Sequence, residues 1–157
     1  MPESLRVITD GACRGNPGPG AWGAWLRYGE AERVLWGYVP GTTNNRMELL
    51  AALRALEAIK RPTELRLLSD SQYLIKGMTE WLPGWVRRGW RNGSGEPVKN
   101  PDIWQALGTA ATGHQIHWQW VRGHAGDPEN EAVDALINRV LDRFQGNEQE
   151  VQGEGWL

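Results

Sequence analysis

The chain has little that would tie it to a membrane, a disulfide scaffold or a bound nucleotide. Cys13 is its only cysteine, so no internal disulfide can form, and a reducing cytoplasm fits that usage. No stretch approaches the ~18 consecutive apolar residues of a membrane span. The opening MPESLRVITDGA lacks a basic flank and a long apolar run, so no secretory signal is expected. No glycine loop ends in the lysine–serine pair of a phosphate-binding P-loop. There is no internal repeat and no linker-like stretch in the 157 residues, which points to one domain. A net charge of −2 gives no reason, taken whole, to expect a polyanion partner.

The distribution of that charge is more informative. Between Glu80 and Lys99 the bases Arg87, Arg88, Arg91 and Lys99 face only Glu80 and Glu96, a local +2 against −4 for the remainder. Contact with a polyanion would concentrate there. A solvated helix and loop would carry the same charges.

Glycine and proline are concentrated in one place. "TDGACRGNPGPGAWG", Thr9 to Gly23, follows the apolar Leu5, Val7 and Ile8, and such density marks a tight turn or a close approach. Leu5–Ala12, Ala21–Tyr28 and Glu32–Val39 read as three strands. Asn44 to Lys60 reads as a helix, with Leu49, Ala52, Leu53 and Leu56 on one stripe. "ELRLLSD" is a fourth strand and Ser71–Trp81 a helix, broken by Pro83 and Gly84 before "WVRRGW". After the loop "RNGSGEPVKN", Pro101–Thr112 is a helix with Asn100 as its N-cap. "QIHWQWV" is a fifth strand, with Trp118 and Trp120 on its buried side. Pro128–Phe144 is the last helix, its apolar side formed by Val133, Leu136, Ile137, Val140, Leu141 and Phe144. Residues 1–144 thus make the folded domain, an α/β layer with a mixed five-stranded sheet. Residues 145–157 are polar and aperiodic and read as a flexible tail.

Four carboxylates fall on four different elements: Asp10 in the first strand, Glu48 in the first helix, Asp70 at the end of the fourth strand and Asp134 in the last helix. Each has a purely structural reading. Glu48 can close a capping box with Asn45, Asp70 can cap the helix at Ser71, and Asp134 can edge a polar face with Asn130 and Asn138. Asp10 is the hardest to place so, since aspartate is disfavoured inside strands. Together, hard oxygen ligands without cysteine and with scattered histidine suit magnesium or manganese better than zinc.

The motifs "TDGACRGNPGPGAWG", "TTNNRMELLAALRALE", "SDSQYL", "GWVRRGW", "PVKNPDIW" and "WVRGHAGDPENEAVD" occur in order across Leu5 to Phe144. In them the chain closely resembles bacterial type 1 ribonuclease H. The resemblance implies that family's α/β fold, with its five-stranded mixed sheet. It also implies hydrolysis of the RNA strand of RNA–DNA hybrids by a two-metal-ion mechanism leaving 5′-phosphate and 3′-hydroxyl ends. It carries the metal-binding acids onto Asp10, Glu48, Asp70 and Asp134, two Mg2+ ions per site being expected with substrate and Mn2+ an alternative. His124 matches a loop histidine that aids proton transfer or product departure. Cys13, Asn16, Asn44, Asn45 and Gln72 match contacts to the RNA strand, whose 2′-hydroxyl both donates and accepts hydrogen bonds. Thr43, Arg46 and Asn100 match a DNA-phosphate pocket, and Trp81 and Trp104 sugar-packing aromatics.

"WVRRGWRNGSGEPVK" resembles the family's basic handle, with Arg87, Arg88, Arg91 and Lys99 as its charges. Here it departs from the common form: Val86 stands where a lysine is usual, and the loop GSGEP holds an acid. Ala12 replaces a usual serine and Ile8 a usual aromatic. No separate N-terminal hybrid-binding module is expected, nor any obligate protein partner, so the protein should be monomeric. Two rival classes remain open: a DNA nuclease or integrase on the same fold, and a hybrid-binding protein with a decayed site.

Overall fold

The computed structural model describes residues 4–123 and 125–157. Its six strands are β1 Leu5–Cys13, β2 Gly18–Tyr28, β3 Ala31–Thr42, β4 Glu64–Ser69, β5 Gln115–Trp120 and β6 Val151–Glu154. They lie in the order β5-β4-β1-β2-β3-β6. β1, β2 and β3 form the expected antiparallel meander, while β4 and β5 add in parallel beyond β1. Helices α1 Asn44–Ala58, α2 Gln72–Lys76, α3 Leu82–Arg87, α4 Pro101–Ala111 and α5 Pro128–Phe144 complete the fold.

Two apolar layers flank the sheet because side chains alternate along β2 and β3. Trp22, Ala24 and Leu26 join Leu49, Ala52, Leu53 and Leu56 of α1 and Trp104 and Leu107 of α4. Ala21, Val34, Trp36 and Tyr38 turn the other way, onto Leu136, Ile137, Val140 and Leu141 of α5. Both helical stripes read from the sequence are therefore the buried ones. At Gly11 the sheet and α1 nearly touch: a Cβ there would lie 2.4 Å from the Met47 carbonyl carbon and 2.6 Å from the Glu48 nitrogen. Only glycine fits, and that contact brings the start of α1 down onto β1.

Five expectations change. The sheet has six strands, not five, because the segment read as a loose tail supplies β6, which pairs antiparallel with β3. That strand is fixed by backbone pairing to an open edge, which leaves little hydrophobic trace in the sequence. Pro83 does not break the helix: a π-helical turn over Gly77–Trp81 carries α2 into α3, and Pro83 sits in the first turn of α3, where its missing N–H costs nothing. Asn100 precedes α4 in a left-handed conformation and makes no side-chain cap. Asn45 and Glu48 form no capping box; Thr43 caps α1 by accepting from the Arg46 N–H. Trp118 is half-buried, but Trp120 is 43 % exposed, because β5 is the sheet's outer strand.

The C-terminal segment is also held by side chains. Trp156 meets the Trp25 ring edge-on at 4.9 Å and donates from Nε1 to Glu32, while Leu157 packs against the α5 layer. Deleting residues 147–157 should cost about 2 kcal/mol of burial, or roughly 4–8 °C in Tm. Trp156→Ala should reproduce a good part of that loss. Thermal melts of the three proteins check it, and a truncated chain melting with the full one would refute the docking.

Candidate active site

β1 and β4 run parallel with Thr9 opposite Ser69, so the next residues, Asp10 and Asp70, emerge side by side. The close seat of α1 on Gly11 adds Glu48 from above. Carboxylate oxygens of Asp10, Glu48 and Asp70 lie within 4.8 Å of one another. Asp10 is 4 % exposed, and its Oδ1 accepts the Gly11 N–H at 2.9 Å. Glu48 Oε1 shares the same N–H at 3.2 Å. The other Glu48 oxygen, Oε2, is buried with no hydrogen-bond partner among the described residues.

The electrostatics follow from crowding. Burial raises Asp10 to about 8, the neighbouring charges of Asp70 and Asp134 add to it, and the Gly11 N–H opposes. Burial, then Asp10 and Asp70, hold Glu48 well above the usual carboxylate range. Asp134 lies outside the tight group of three, on α5, yet its charge is felt at Asp10. Neither capping alternative accounts for these acids: Ser71, not Asp70, caps α2. Crowded hard oxygens and an orphaned buried carboxylate oxygen are the donor set for a small divalent cation.

Beside the acids, three of the proposed RNA-contact residues form one polar network. The Cys13 N–H donates to Asn44 Oδ1 at 2.7 Å, the Asn44 N–H donates to Asn16 Oδ1 at 3.1 Å, and the Cys13 thiol points to the Gly15 carbonyl at 2.7 Å. Asn45, next to Asn44 at the start of α1, and Gln72, two residues after Asp70 at the start of α2, are exposed. His124 lies outside the described residues.

Thr43, Arg46 and Asn100, the residues expected to hold a DNA phosphate, are brought together, with partners that sequence reasoning missed. Arg46 Nη1 donates to Asn100 Oδ1 at 3.1 Å, and its guanidinium forks onto Asp102 at 3.1 and 2.8 Å. That pair holds Asp102 below its usual pKa. Asn100 Nδ2 in turn donates to the Tyr73 hydroxyl at 3.2 Å. Asp102 had one available signal, an acid in the first turn of a helix; Tyr73 had none. Trp81 is 37 % exposed, whereas Trp104 is fully buried. Trp104 is thus core rather than a sugar-packing surface: it packs on Trp85 at 5.1 Å and Tyr73 at 5.2 Å, where α4 closes over the helical segment.

Arg87, Arg88, Arg91 and Lys99 are all exposed. Arg87 and Arg88 border a groove of about 430 Å³ with Trp81, Trp85 and Asn92. The loop that follows is ordered by Asn92, whose Oδ1 accepts the Ser94 and Glu96 N–H groups.

The RNase H family model matches residues 2–142. A ribonuclease H of Acidithiobacillus ferrooxidans is 62 % identical over 158 residues, covering 100 % of both chains. A ribonuclease HI of Pseudomonas aeruginosa is 59 % identical over 137 residues, covering 87 % of this chain and 93 % of its own. Among solved structures, LC9-RNase H1, a type 1 RNase H with the type 2 active-site motif, matches with TM-score 0.82 at 32 % identity, covering 100 % of this chain and 79 % of that one. RNase H1 from the halophilic archaeon Halobacterium salinarum matches with TM-score 0.61 at 29 % identity, covering 89 % of this chain and 98 % of that one. Since the family match spans every strand and helix that positions the acids, the chain belongs to the ribonuclease H family and has its α/β fold.

Proposed function

We propose that this protein is an endoribonuclease that hydrolyses the RNA strand of RNA–DNA hybrids, leaving 5′-phosphate and 3′-hydroxyl ends. The observation that carries the reading is the cluster of Asp10, Glu48 and Asp70, built against the repulsion of its own charges in a ribonuclease H chain. Asp10 and Asp70 would be shared between two cations, Glu48 would hold one of them and Asp134 the other. Bound there, magnesium or manganese supplies Lewis-acid stabilisation at the scissile phosphate and activates water. A lone reduced cysteine fits the cytoplasm, and a monomer suffices for the site.

This chain's own residues then supply recognition. Cys13, Asn16, Asn44, Asn45 and Gln72 present short neutral groups to the ribose edge, where a 2′-hydroxyl distinguishes RNA. Thr43, Arg46 and Asn100 hold a phosphate of the DNA strand, with Trp81 beside its sugar. His124 assists proton transfer or product departure. Cleavage of matched RNA–DNA, RNA–RNA and DNA–DNA duplexes, with and without Mg2+, tests the reading. Only the hybrid with Mg2+ should be cut; cleavage of the DNA duplex would favour a DNA nuclease, and no cleavage at all a decayed binding protein.

Asp10 links the metal site to stability. Between its ordinary pKa of 3.8 and its folded value of about 8, the fold keeps a proton that the unfolded chain has released. Its contribution is therefore present in full below pH 4 and lost as pH rises through 8. Metal-free protein should melt lower at pH 8 than the Asp10→Asn variant, by roughly 2–4 °C per kcal/mol of repulsion relieved. The same variant should lose Mg2+-dependent cleavage. Equal melts across pH 5–9 would remove the electrostatic argument, and wild-type turnover by Asp10→Asn the metal assignment.

The exposed handle predicts a salt effect. Each phosphate neutralised contributes about 0.9 to the salt slope of binding. Replacing Arg87, Arg88 and Arg91 with alanine should flatten the slope of KM against salt by up to roughly 2–3 units, with kcat nearly unchanged. Parallel slopes would locate the grip elsewhere, at Arg46 first.

A further inference from the structure

Trp120 is a large side chain 43 % exposed at the end of β5, and among the described residues it joins neither core layer. Its indole Nε1 donates to the main-chain carbonyl of Asp70 at 3.0 Å. On the other side of the same peptide, the Ser71 N–H donates to Ser69 Oγ at 3.0 Å, and Ser69 is fully buried. The Asp70–Ser71 peptide plane is thus held at its oxygen by one side chain and at its nitrogen by another.

This plane lies just past the end of the β1–β4–β5 ladder, whose last pairings place Ser69 opposite Thr9 and Trp120. The Val121 N–H donates to the Ser69 carbonyl at 2.9 Å, which continues the β4–β5 connection by one bond. Beyond it, a backbone without further support would be free to rotate about the Asp70 dihedrals and swing the carboxylate. The chain that leaves β5 passes close to the carboxylate: a Cβ on Gly123 would stand 2.7 Å from Asp70 Oδ2, so glycine there leaves the carboxylate its room.

We infer that Trp120 and Ser69 are positioning residues that clamp the Asp70–Ser71 peptide and so aim the Asp70 carboxylate at Asp10 and Glu48. The inference rests on the proposed role of Asp70 as a metal ligand. Neither side chain touches the cation or the substrate; each acts through the backbone that carries the ligand. Partners of this kind hold a ligand in its binding geometry, and their loss weakens metal affinity about 10–100-fold.

Trp120→Phe keeps an aromatic ring and deletes the N–H; Ser69→Ala deletes the other end of the clamp. Titration calorimetry with MnCl2 on the full chain, with Asp70→Asn as reference, reads metal affinity without any turnover. Trp120→Phe should weaken Mn2+ binding about 10-fold, with Ser69→Ala in the same direction. The Mg2+ concentration for half-maximal hybrid cleavage should rise by the same factor, while kcat at saturating Mg2+ and the KM for hybrid stay near wild type. Simple loss of folded protein would lower the amplitude of that curve without moving its midpoint. Wild-type Mn2+ affinity in Trp120→Phe, with Asp70→Asn impaired, overturns the clamp and leaves the metal reading standing. A raised hybrid KM with unchanged metal affinity would make Trp120 a substrate contact and equally overturns it. Undiminished binding by Asp70→Asn would remove Asp70 as a ligand, and the clamp's purpose with it.

Discussion

Mutual repulsion among buried carboxylates is the constraint around which this protein is arranged. Asp10 and Glu48 are under cover and face Asp70, with oxygens of the three within 4.8 Å of one another, in surroundings that strengthen every charge–charge interaction. Left to relax, such groups would move apart or reach water. The fold prevents it by mounting them on elements that cannot move independently. Parallel pairing of β1 with β4 fixes Asp10 beside Asp70, and the absence of a side chain at Gly11 seats α1 so that Glu48 cannot withdraw. One backbone N–H, that of Gly11, offsets charge on both Asp10 and Glu48. Glu48 Oε2 receives no hydrogen bond from the described residues. A site so under-compensated by the protein has the donor chemistry to hold a cation.

The stability that tolerates this cost comes from layers on both faces of the sheet. Trp104, Leu107 and the α1 stripe bury one face, and the α5 stripe with Tyr38 and Trp36 the other. β6 and Trp156 close the far edge, three strands away from Asp10. A cation that binds the folded chain and not the unfolded one adds stability through mass action, so metal occupancy and fold stability are coupled through the same acids.

Much of this was legible because it follows from periodicity and from unusual residue choice. Leu49, Ala52, Leu53 and Leu56 recur at helical spacing and are buried; Asp10 within a strand has no ordinary structural use. The density of glycine after Asp10 marked a tight turn or a close approach, and a close approach to α1 occurs at Gly11. What escaped was set by tertiary partners. β6 has a half-buried Val151 but is otherwise polar and glycine-containing, and exists because β3 offers an unpaired edge. Trp120 alternates like a buried strand residue, yet the outer strand has no layer above that position. Asn100 has the residue type of a cap, but Arg46 and Tyr73 take its side chain. No local pattern encodes a π-helical turn that lets Pro83 follow a helix without ending it.

Charge is divided in space as well as in sequence. The acids lie where β1, β4 and α1 converge, whereas Arg87, Arg88, Arg91 and Lys99 are exposed on α3 and the ordered loop after it. Arg46, two residues before Glu48 on α1, is neutralised by Asp102 through a forked pair. A phosphate approaching Arg46 therefore competes with, or shares donors with, a carboxylate already in place. The handle arginines face weaker competition: Arg91 donates to the Gly95 carbonyl, a neutral acceptor. Salt-dependent capture of a duplex would then fall chiefly to the handle, and Arg46, held in a fixed orientation by Asp102 and Asn100, would supply register more than affinity. Separating grip from register in this way would let a weaker handle, with Val86 and Glu96 in it, lower affinity without displacing the scissile strand from the acids.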